Sequence, residues 1–165
     1  MEIRTVRPDE HEALGELTVA AYAAINPTDR DGELGGYESE LRDVAGRLAG
    51  SEVLVAVDGD GALLGGVTYV PGSGSPAAEF DDPDAAGIRM LAVAPVAQGR
   101  GVGEALTRAC VERAVAAGRR RVRLHSTEWM TTAHRLYRRL GFARDPESDW
   151  EPVPGFHLRA FRLDL

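Results

Sequence analysis

Apolar and polar residues alternate at residues 2–7 and 158–165, which indicates a strand at each place, and short apolar runs indicate further strands between them. A period of two places every second side chain on one face of a sheet, as a half-buried strand requires. The sequence Asp58-Gly59-Asp60-Gly61 separates two apolar stretches and therefore predicts a tight hairpin. The predicted strands are residues 2–7, 52–57, 63–70, 88–93, 122–126 and 158–165, and the pattern allows one more near Phe142.

Between these strands lie segments with the periodicity or the boundary residues of helices. Pro8 begins the first in the favoured way, with two acidic residues in its first turn. Asn26-Pro27-Thr28-Asp29 interrupts it, and Gly118 and Gly141 are placed to end two later helices. The predicted helices are residues 8–24, 37–48, 101–117, and a last one that Thr131 or Thr132 caps and that continues to 140. Strands that alternate with helices predict a single α/β domain built around a mixed central sheet flanked by helices.

Composition narrows the class of protein. A chain of 165 residues is long enough for one domain with a hydrophobic core. No apolar run approaches the roughly 18 residues that a membrane span needs, and the first residues lack the pattern of a secretory signal. The single cysteine excludes an internal disulfide and a multi-cysteine metal site, and its spacing places Cys110 in the core. We therefore expect a cytoplasmic protein that binds neither membrane nor metal.

Charge is distributed unevenly along the chain. Residues 1–86 contain 18 Asp and Glu against 5 Arg, whereas residues 87–165 contain 8 against 14, and there is no Lys. A net charge of −7 argues against nucleic-acid binding. The basic second half is suited to a compact polyanion such as a phosphorylated cofactor, and the acidic first half to a cationic substrate.

A glycine-rich segment, Gln98-Gly99-Arg100-Gly101-Val102-Gly103, lies between a predicted strand and a predicted helix. Glycine lets the backbone approach another group closely, and a helix start presents free N–H groups, so the segment is suited to bind a pyrophosphate. A P-loop would need a Lys that this chain lacks, and a dinucleotide fingerprint would need a third Gly at Glu104 or Leu106. A plain turn between strand and helix remains the alternative.

Two blocks of residues together resemble the GNAT (Gcn5-related N-acetyltransferase) superfamily. The first is Leu91-Ala92-Val93 with Pro95 and then Gln98-x-x-Gly101-x-Gly103. The second is Ala133-x-x-Leu136-Tyr137-x-x-Leu140-Gly141-Phe142, which is similar to the family's late helix. The order of predicted elements is also that of the family over nearly the whole chain.

The resemblance implies a binding site for acetyl-CoA. The backbone of Leu91, Ala92 and Val93 would lie along the pantetheine arm, and an N–H of this strand would polarise the thioester carbonyl. The acetyl group would lie in a gap where the strands at 88–93 and 122–126 splay apart. Arg100 and Arg139 could meet the outer phosphates. The residues whose amides would bind the pyrophosphate are Gly99, Arg100, Gly101, Val102, Gly103 and Glu104.

Tyr137 matches the family's general acid. A phenol can donate a proton to the leaving thiolate, whose pKa is about 8.5. The helical spacing of Tyr137 with its apolar neighbours equally suits a half-buried core residue.

The general base is less directly readable. Many relatives have Glu at the position of Gly87, and others have Glu at the position of His125, so His125 is the candidate base. A structural His, the carboxylates at Glu79, Asp81 and Asp82, and a water chain with no dedicated base are the alternatives. Relatives also often have Asn where this chain has Met130; backbone contacts or Thr131 would then hold the cofactor arm. His134 is expected to be exposed.

The resemblance implies that residues 1–165 form an N-acetyltransferase domain. It would move an acetyl group from acetyl-CoA to a primary amine by direct attack in a ternary complex, with a small-molecule or peptide amine as acceptor. The acidity of the segment before the cofactor strand favours a cationic one. A non-catalytic CoA-binding regulatory module and a transferase for a different acyl-CoA are the alternatives. Dimerisation is common among relatives, so the resemblance is also compatible with a homodimer.

Overall fold

The computed structural model describes residues 1–25 and 35–165, and the helix interruption predicted at residues 26–29 lies outside them. One sheet contains eight strands, and five α-helices pack around it. The strands are β1 (Glu2–Thr5), β2 (Glu52–Val57), β3 (Leu63–Val70), β4 (Ala85–Val93), β5 (Arg121–Thr127), β6 (Ala143–Arg144), β7 (Trp150–Val153) and β8 (Phe156–Asp164). The helices are α1 (His11–Ile25), α2 (Gly35–Arg42), α3 (Val44–Arg47), α4 (Val102–Ala116) and α5 (Thr131–Arg139).

The strand order is β1-β2-β3-β4-β5-β8-β6, with β7 paired to β8. Only β4 and β5 run parallel among these neighbours; α4 makes the crossover between them. The other pairs are antiparallel, which confirms the mixed α/β sheet that the sequence predicted. The short strand expected near Phe142 is β6.

Each face of the sheet is covered by its own helices. Along β2 the even residues, such as Leu54, join the core beneath α4 and α5, whereas the odd residues, such as Val53, pack with Leu14 of α1 and Val44 of α3. Strict alternation over a buried strand produces this separation, because successive side chains point to opposite faces. We call these the α4–α5 face and the α1–α3 face.

Several boundaries differ from the sequence predictions. Asp43 divides the helix expected at residues 37–48 into α2 and α3, because its carboxylate accepts a hydrogen bond from the Gly46 N–H and caps α3. Met130 occupies the N-cap position of α5, so neither Thr131 nor Thr132 caps it. The strand β7 was not predicted; it pairs with β8 through a turn at Gly155, which has a positive φ. Gly118 and Gly141 end their helices with positive φ, as predicted.

A β-bulge shapes β4. Gly66 of β3 is opposite Ala92, and Thr68 is opposite Arg89, so one β3 residue faces the two residues Met90 and Leu91. Met90 has φ 52°, a left-handed conformation that is unfavourable for a side-chain-bearing residue. A bulge leaves its extra residue unpaired and bends the strand. The second half of β4 therefore departs from the direction of the first.

In the described residues, no helix is long and apolar enough to cross a membrane. The same two stretches of chain hold no group of three or more His, Cys, Asp and Glu placed to bind a metal ion.

Gly87 of β4 is packed against an aromatic ring. A Cβ built on Gly87 would lie 2.6 Å from Cε1 of Phe80 and 3.3 Å from Cβ of Val70. Real Cβ atoms do not approach other atoms that closely, so the Phe80 ring occupies the space that any side chain at 87 would need.

This packing predicts that Gly87→Ala destabilises the protein by about 1–3 kcal/mol, since a buried methyl group would have to displace the ring. Urea denaturation would measure the change. Gly59→Ala is the matched control, because nothing lies within 4 Å of a Cβ at Gly59. Combining Gly87→Ala with Phe80→Leu should recover part of the loss; additive effects of the two substitutions would contradict the assigned contact.

Candidate active site

Strands β4 and β5 separate beyond their first four paired residues. Their pairing begins at Ala85 with Arg121 and ends at Ile88 with Leu124, yet β4 continues to Val93 and β5 to Thr127. The bulge at Met90 lies directly after the last pair. The two strands therefore enclose a gap between the faces of the sheet, and the β4 backbone from Met90 onward is not paired to β5.

The end of β4 leads into the glycine-rich loop. Gly99 and Gly101 have φ of 75° and 78°, and no atom of residues 1–25 and 35–165 lies within 4 Å of a Cβ built on either. Gly101 is the N-cap of α4 and has no side-chain cap, so the first N–H groups of the helix lack intrahelical partners. Gly103 instead packs closely, since a Cβ built on it would lie 3.4 Å from Cδ2 of Leu136 on α5. Open space beside free amides at a helix start is an anion-binding arrangement.

The remaining residues predicted to bind the cofactor surround this loop. Leu91 and Val93 are half-buried and Ala92 is buried on β4, which ends just before the loop. Val102 is buried in the core and contributes only its backbone to the loop, whereas the Arg100 side chain is exposed. The Glu104 carboxylate is ion-paired with Arg139 at 2.8 Å and with Arg108 at 2.9 Å. The structure thus brings together the segments 91–93 and 99–104 at one edge of the gap.

Tyr137 approaches the gap from the α4–α5 face. Its side chain is 5% exposed and packs against Phe142 and Phe161, with ring centroids 5.8 and 5.7 Å away. Burial raises the pKa of Tyr137 above the ordinary value of a phenol. Tyr137 also raises the pKa of Tyr22 on α1, a smaller effect than that of burial.

His125 approaches from the other face. Val122 and Leu124 of β5 belong to the α4–α5 core, so the alternating residues Arg123 and His125 face the α1–α3 side. The His125 side chain is 7% exposed and lines a cavity of about 270 Å³. The cavity wall includes Glu79, Phe80, Asp81, Asp82, Arg123, Leu124, His125, Ser148, Ala160 and Phe161.

Both ring nitrogens of His125 have polar neighbours. Nε2 lies 2.9 Å from the Ser148 carbonyl oxygen, to which its N–H donates, and Nδ1 lies 3.6 Å from Oε2 of Glu79. Burial acts to lower the pKa of His125, but hydrogen bonding to Glu79 and Ser148 outweighs it, and the pKa is raised above its ordinary value. Trp150 of β7 packs edge-on against the ring at 6.3 Å.

Glu79 was one of the weaker sequence candidates, yet it lies at the centre of this group. Its carboxylate contacts the Arg89 guanidinium at 2.9 Å through Oε1 and faces His125 through Oε2. The neighbouring Phe80 covers Gly87, where many relatives have Glu. A carboxylate from the preceding loop thus lies near the strand position that lacks one, a placement that the sequence could not show because it depends on how residues 71–84 fold.

The other acidic residues of that loop are largely engaged. Asp82 accepts hydrogen bonds from Arg121 and Arg123, at 2.8 and 3.0 Å, and Arg123 also bonds to Asp145. Asp81 is exposed. The carboxylates of this loop therefore do not form a continuous acidic wall, because Arg121 and Arg123 of β5 pair with Asp82.

His134 was expected to be exposed, and this was wrong. It is 4% exposed, its Nε2 lies 3.1 Å from the Ser126 hydroxyl, and its ring packs on Phe161 at 5.0 Å. It is a buried structural residue between α5 and β5. Cys110 is buried in the α4–α5 core as expected, and burial raises the pKa of its thiol to about 12.

Comparison with known proteins supports the assignment of the fold. A GCN5-related N-acetyltransferase from Kribbella flavida superposes with a TM-score of 0.71 at 26% identity, covering 99% of this chain and 97% of that one. YncA from Salmonella typhimurium, solved with its cofactor acetyl-CoA, gives 0.66 at 22% identity, covering 100% of this chain and 94% of that one. These structures share the architecture described above.

Sequence comparison identifies the family. Mycothiol acetyltransferase from Renibacterium salmoninarum is 30% identical over 144 residues, or 87% of this chain. The alignment covers 41% of that relative, so this chain spans about two fifths of its length. The model of the acetyltransferase (GNAT) family matches residues 12–142, a range that contains the glycine loop, the gap and Tyr137. The chain belongs to the acetyltransferase (GNAT) family.

Proposed function

We propose that this chain transfers an acetyl group from acetyl-CoA to a primary amine, by direct attack in a ternary complex, with residues 1–165 acting as one N-acetyltransferase domain. The observation that carries the proposal is the separation of β4 and β5 after Ile88, immediately before the glycine loop. The segments proposed to bind the cofactor lie at one edge of the gap. Tyr137 lies on the α4–α5 face of the sheet and His125 on the α1–α3 face. The family and the names of its relatives support acetyl transfer in general.

Acetyl-CoA fits the residues at this edge. The open space over Gly99 and Gly101 suits a pyrophosphate, and the amides at the start of α4 would bind it. The unpaired stretch of β4 over Leu91, Ala92 and Val93 offers backbone groups to an extended pantetheine arm. When bound, the cosubstrate supplies an activated acetyl thioester. YncA, which shares the fold, was solved with acetyl-CoA.

Tyr137 is proposed to stabilise the sulfur that leaves. Its raised pKa keeps the phenol protonated at neutral pH, so the hydroxyl is always available as a donor. The same shift makes full proton transfer to a thiolate of pKa about 8.5 less favourable than it would be from an ordinary phenol. A hydrogen bond that strengthens as charge develops on sulfur is therefore the larger part of its role.

His125 is proposed to accept the proton of the attacking amine, directly or through water, and Glu79 to assist it. With the Nε2 proton donated to Ser148, the lone pair of neutral His125 is on Nδ1, on the side of Glu79. A protonated imidazole is stabilised by the facing carboxylate, which explains the raised pKa. Proton acceptance should thus be favourable, whereas the neutral base is populated only at higher pH.

Two alternatives have distinct consequences. A CoA-binding module without catalysis would bind acetyl-CoA and release no thiol with any amine, and substituting Tyr137 would change nothing. A transferase for a longer acyl-CoA would turn over succinyl-CoA faster than acetyl-CoA. The expected homodimer and cytoplasmic location stay predictions of the sequence.

Gly101→Ala is expected to raise the dissociation constant of acetyl-CoA at least about tenfold, because its methyl group would enter the space assigned to the pyrophosphate. Calorimetric titration would measure this. Gly61→Ala is the matched control: Gly61 has φ 84° and open space as well, so both variants carry a similar backbone strain. Equal affinity in the two variants would reject this loop as the phosphate site.

Tyr137→Phe is expected to lower kcat by about 10²-fold while leaving the KM for acetyl-CoA within about twofold, the signature of an interaction made chiefly in the transition state. Release of free thiol over a panel of primary amines would measure it. Tyr69→Phe is the control, since Tyr69 is also buried and its hydroxyl has no partner among the described residues. An unchanged kcat in Tyr137→Phe would favour the non-catalytic module.

The rate should rise with pH through a midpoint above the ordinary value of about 6.5 for histidine, because the raised pKa of His125 keeps it protonated at lower pH. Glu79→Gln removes the carboxylate that favours the charged imidazole, so the midpoint should move to lower pH; His125→Gln should abolish this limb. A pH profile of kcat would test both. A midpoint that does not move in Glu79→Gln would exclude the pair as the base.

A further inference from the structure

A second cavity, of about 210 Å³, lies on the α1–α3 face next to the bulge. Thr68 of β3 is opposite Val53, which packs in the α1–α3 core, and Arg89 of β4 is opposite Thr68, so both side chains are on this face. The cavity wall combines these two residues with Arg47 of α3, Met90 of the bulge and the carboxylates of Glu40 and Asp43.

Arg47 is a buried cation whose bonding is incomplete. It is 7% exposed, its Nη2 donates to the carbonyl oxygen of Leu41, and its Nε has no partner in the part of the chain that the structure describes. No carboxylate in residues 1–25 and 35–165 forms a salt bridge with it; Asp43, the acid that influences it most, caps α3 instead. Burial of a guanidinium that has no salt bridge in these residues is unfavourable, and a negatively charged ligand in the cavity would offset that cost.

Thr68 provides a second unsatisfied group in the same cavity. It is fully buried, and its hydroxyl has no hydrogen-bond partner in the described chain. Buried polar groups are nearly always bonded, and exceptions often mark a ligand. Arg89 contributes less free charge, because Glu79 and Glu40 already contact it at 2.9 and 3.2 Å.

The cavity is close to the proposed site of transfer. Met90 lines it and also begins the unpaired stretch of β4. Glu79 connects the cavity to His125. Its Oε1 lies 2.9 Å from the guanidinium of Arg89, which lines the cavity, and its Oε2 lies 3.6 Å from Nδ1 of His125.

We propose that the acceptor is an amine that also carries an anionic group, a carboxylate or a phosphate monoester, which Arg47 and Thr68 bind while the amine lies in the gap. This inference rests on the proposed acetyl transfer and names the class of its acceptor. The sequence favoured an acceptor with positive charge alone. The acceptor proposed here also carries a negative group, which would lie in the cavity while its amine lies in the gap. Arg47 supplies the charge, Thr68 supplies a hydroxyl donor, and Arg89 with its two carboxylates separates them from His125.

The test compares acceptors of matched length by free-thiol release at fixed acetyl-CoA. The series contains ω-amino carboxylates from glycine to 6-aminohexanoate, the alkylamines of equal length, the corresponding diamines, and phosphoethanolamine. We expect at least one carboxylate or phosphate to exceed its matched alkylamine roughly tenfold or more in kcat/KM, and the diamines to be poorer. The preferred member of the series shows whether the anionic group of the acceptor is a carboxylate or a phosphate monoester. Equal rates for anionic and neutral members, or preference for diamines, would overturn the inference while leaving acetyl transfer intact.

Variants assign the effect to the cavity. Arg47→Met and Thr68→Val keep side-chain volume and remove the charge or the hydroxyl, and each should raise the KM for the anionic acceptor far more than that for its alkylamine. If Arg47→Met does not fold, Thr68→Val still tests the proposal. Arg120→Met removes an arginine at an exposed position and is the control. A uniform loss on both acceptors, in a variant that still unfolds cooperatively on heating, would contradict the proposal.

Thermal unfolding gives a readout independent of activity. The preferred ω-amino carboxylate, or 6-aminohexanoate if no amine is acetylated, should raise the Tm of the unsubstituted protein and not that of Thr68→Val. Absence of thiol release with every amine would overturn the proposed function; absence of this stabilisation as well would overturn the anion site.

Discussion

Everything proposed for this protein depends on the point at which β4 and β5 stop sharing hydrogen bonds. Up to Ile88 the two strands are ordinary parallel neighbours, and beyond it the bulge at Met90 turns β4 away. A sheet is normally closed to molecules that would cross it, because each backbone group is bonded to the next strand. Here one edge of β4 is released inside the sheet, so that a cofactor can pair with the strand and groups from opposite faces can meet.

The sequence predicted the elements that obey local rules. The Asp-Gly turn between β2 and β3 and the glycines that end α4 and α5 each express a preference of the backbone within a few residues. The break between α2 and α3 and the strand β7 were missed. Asp43 could be read as a cap only once the Gly46 amide was known to lie beside it, and β7 exists because β8 offers it an edge.

The candidate site shows the same division. The cofactor segment and Tyr137 lie in two continuous blocks of sequence, so the resemblance of those blocks to the acetyltransferase (GNAT) family was enough to predict them. His125 is surrounded by Glu79 from the loop before β4, Ser148 from the segment after β6, and Trp150 of β7. Glu79 is far from the other two in the chain. Arg47 and Thr68 gave no signal at all, since a lone Arg and a lone Thr become informative only when both are found buried with free donors in one cavity.

The contact between Phe80 and Gly87 also constrains how this protein can change over evolutionary time. A relative with Glu at position 87 must leave room for it, whereas here the ring already fills that room. Restoring the acid by one substitution would create a clash, and removing the ring first would leave a void beside the strand. The two positions are therefore epistatic: each is neutral only in the presence of the other. The pocket around Glu79 and His125 therefore cannot gain a carboxylate on β4 through a single substitution.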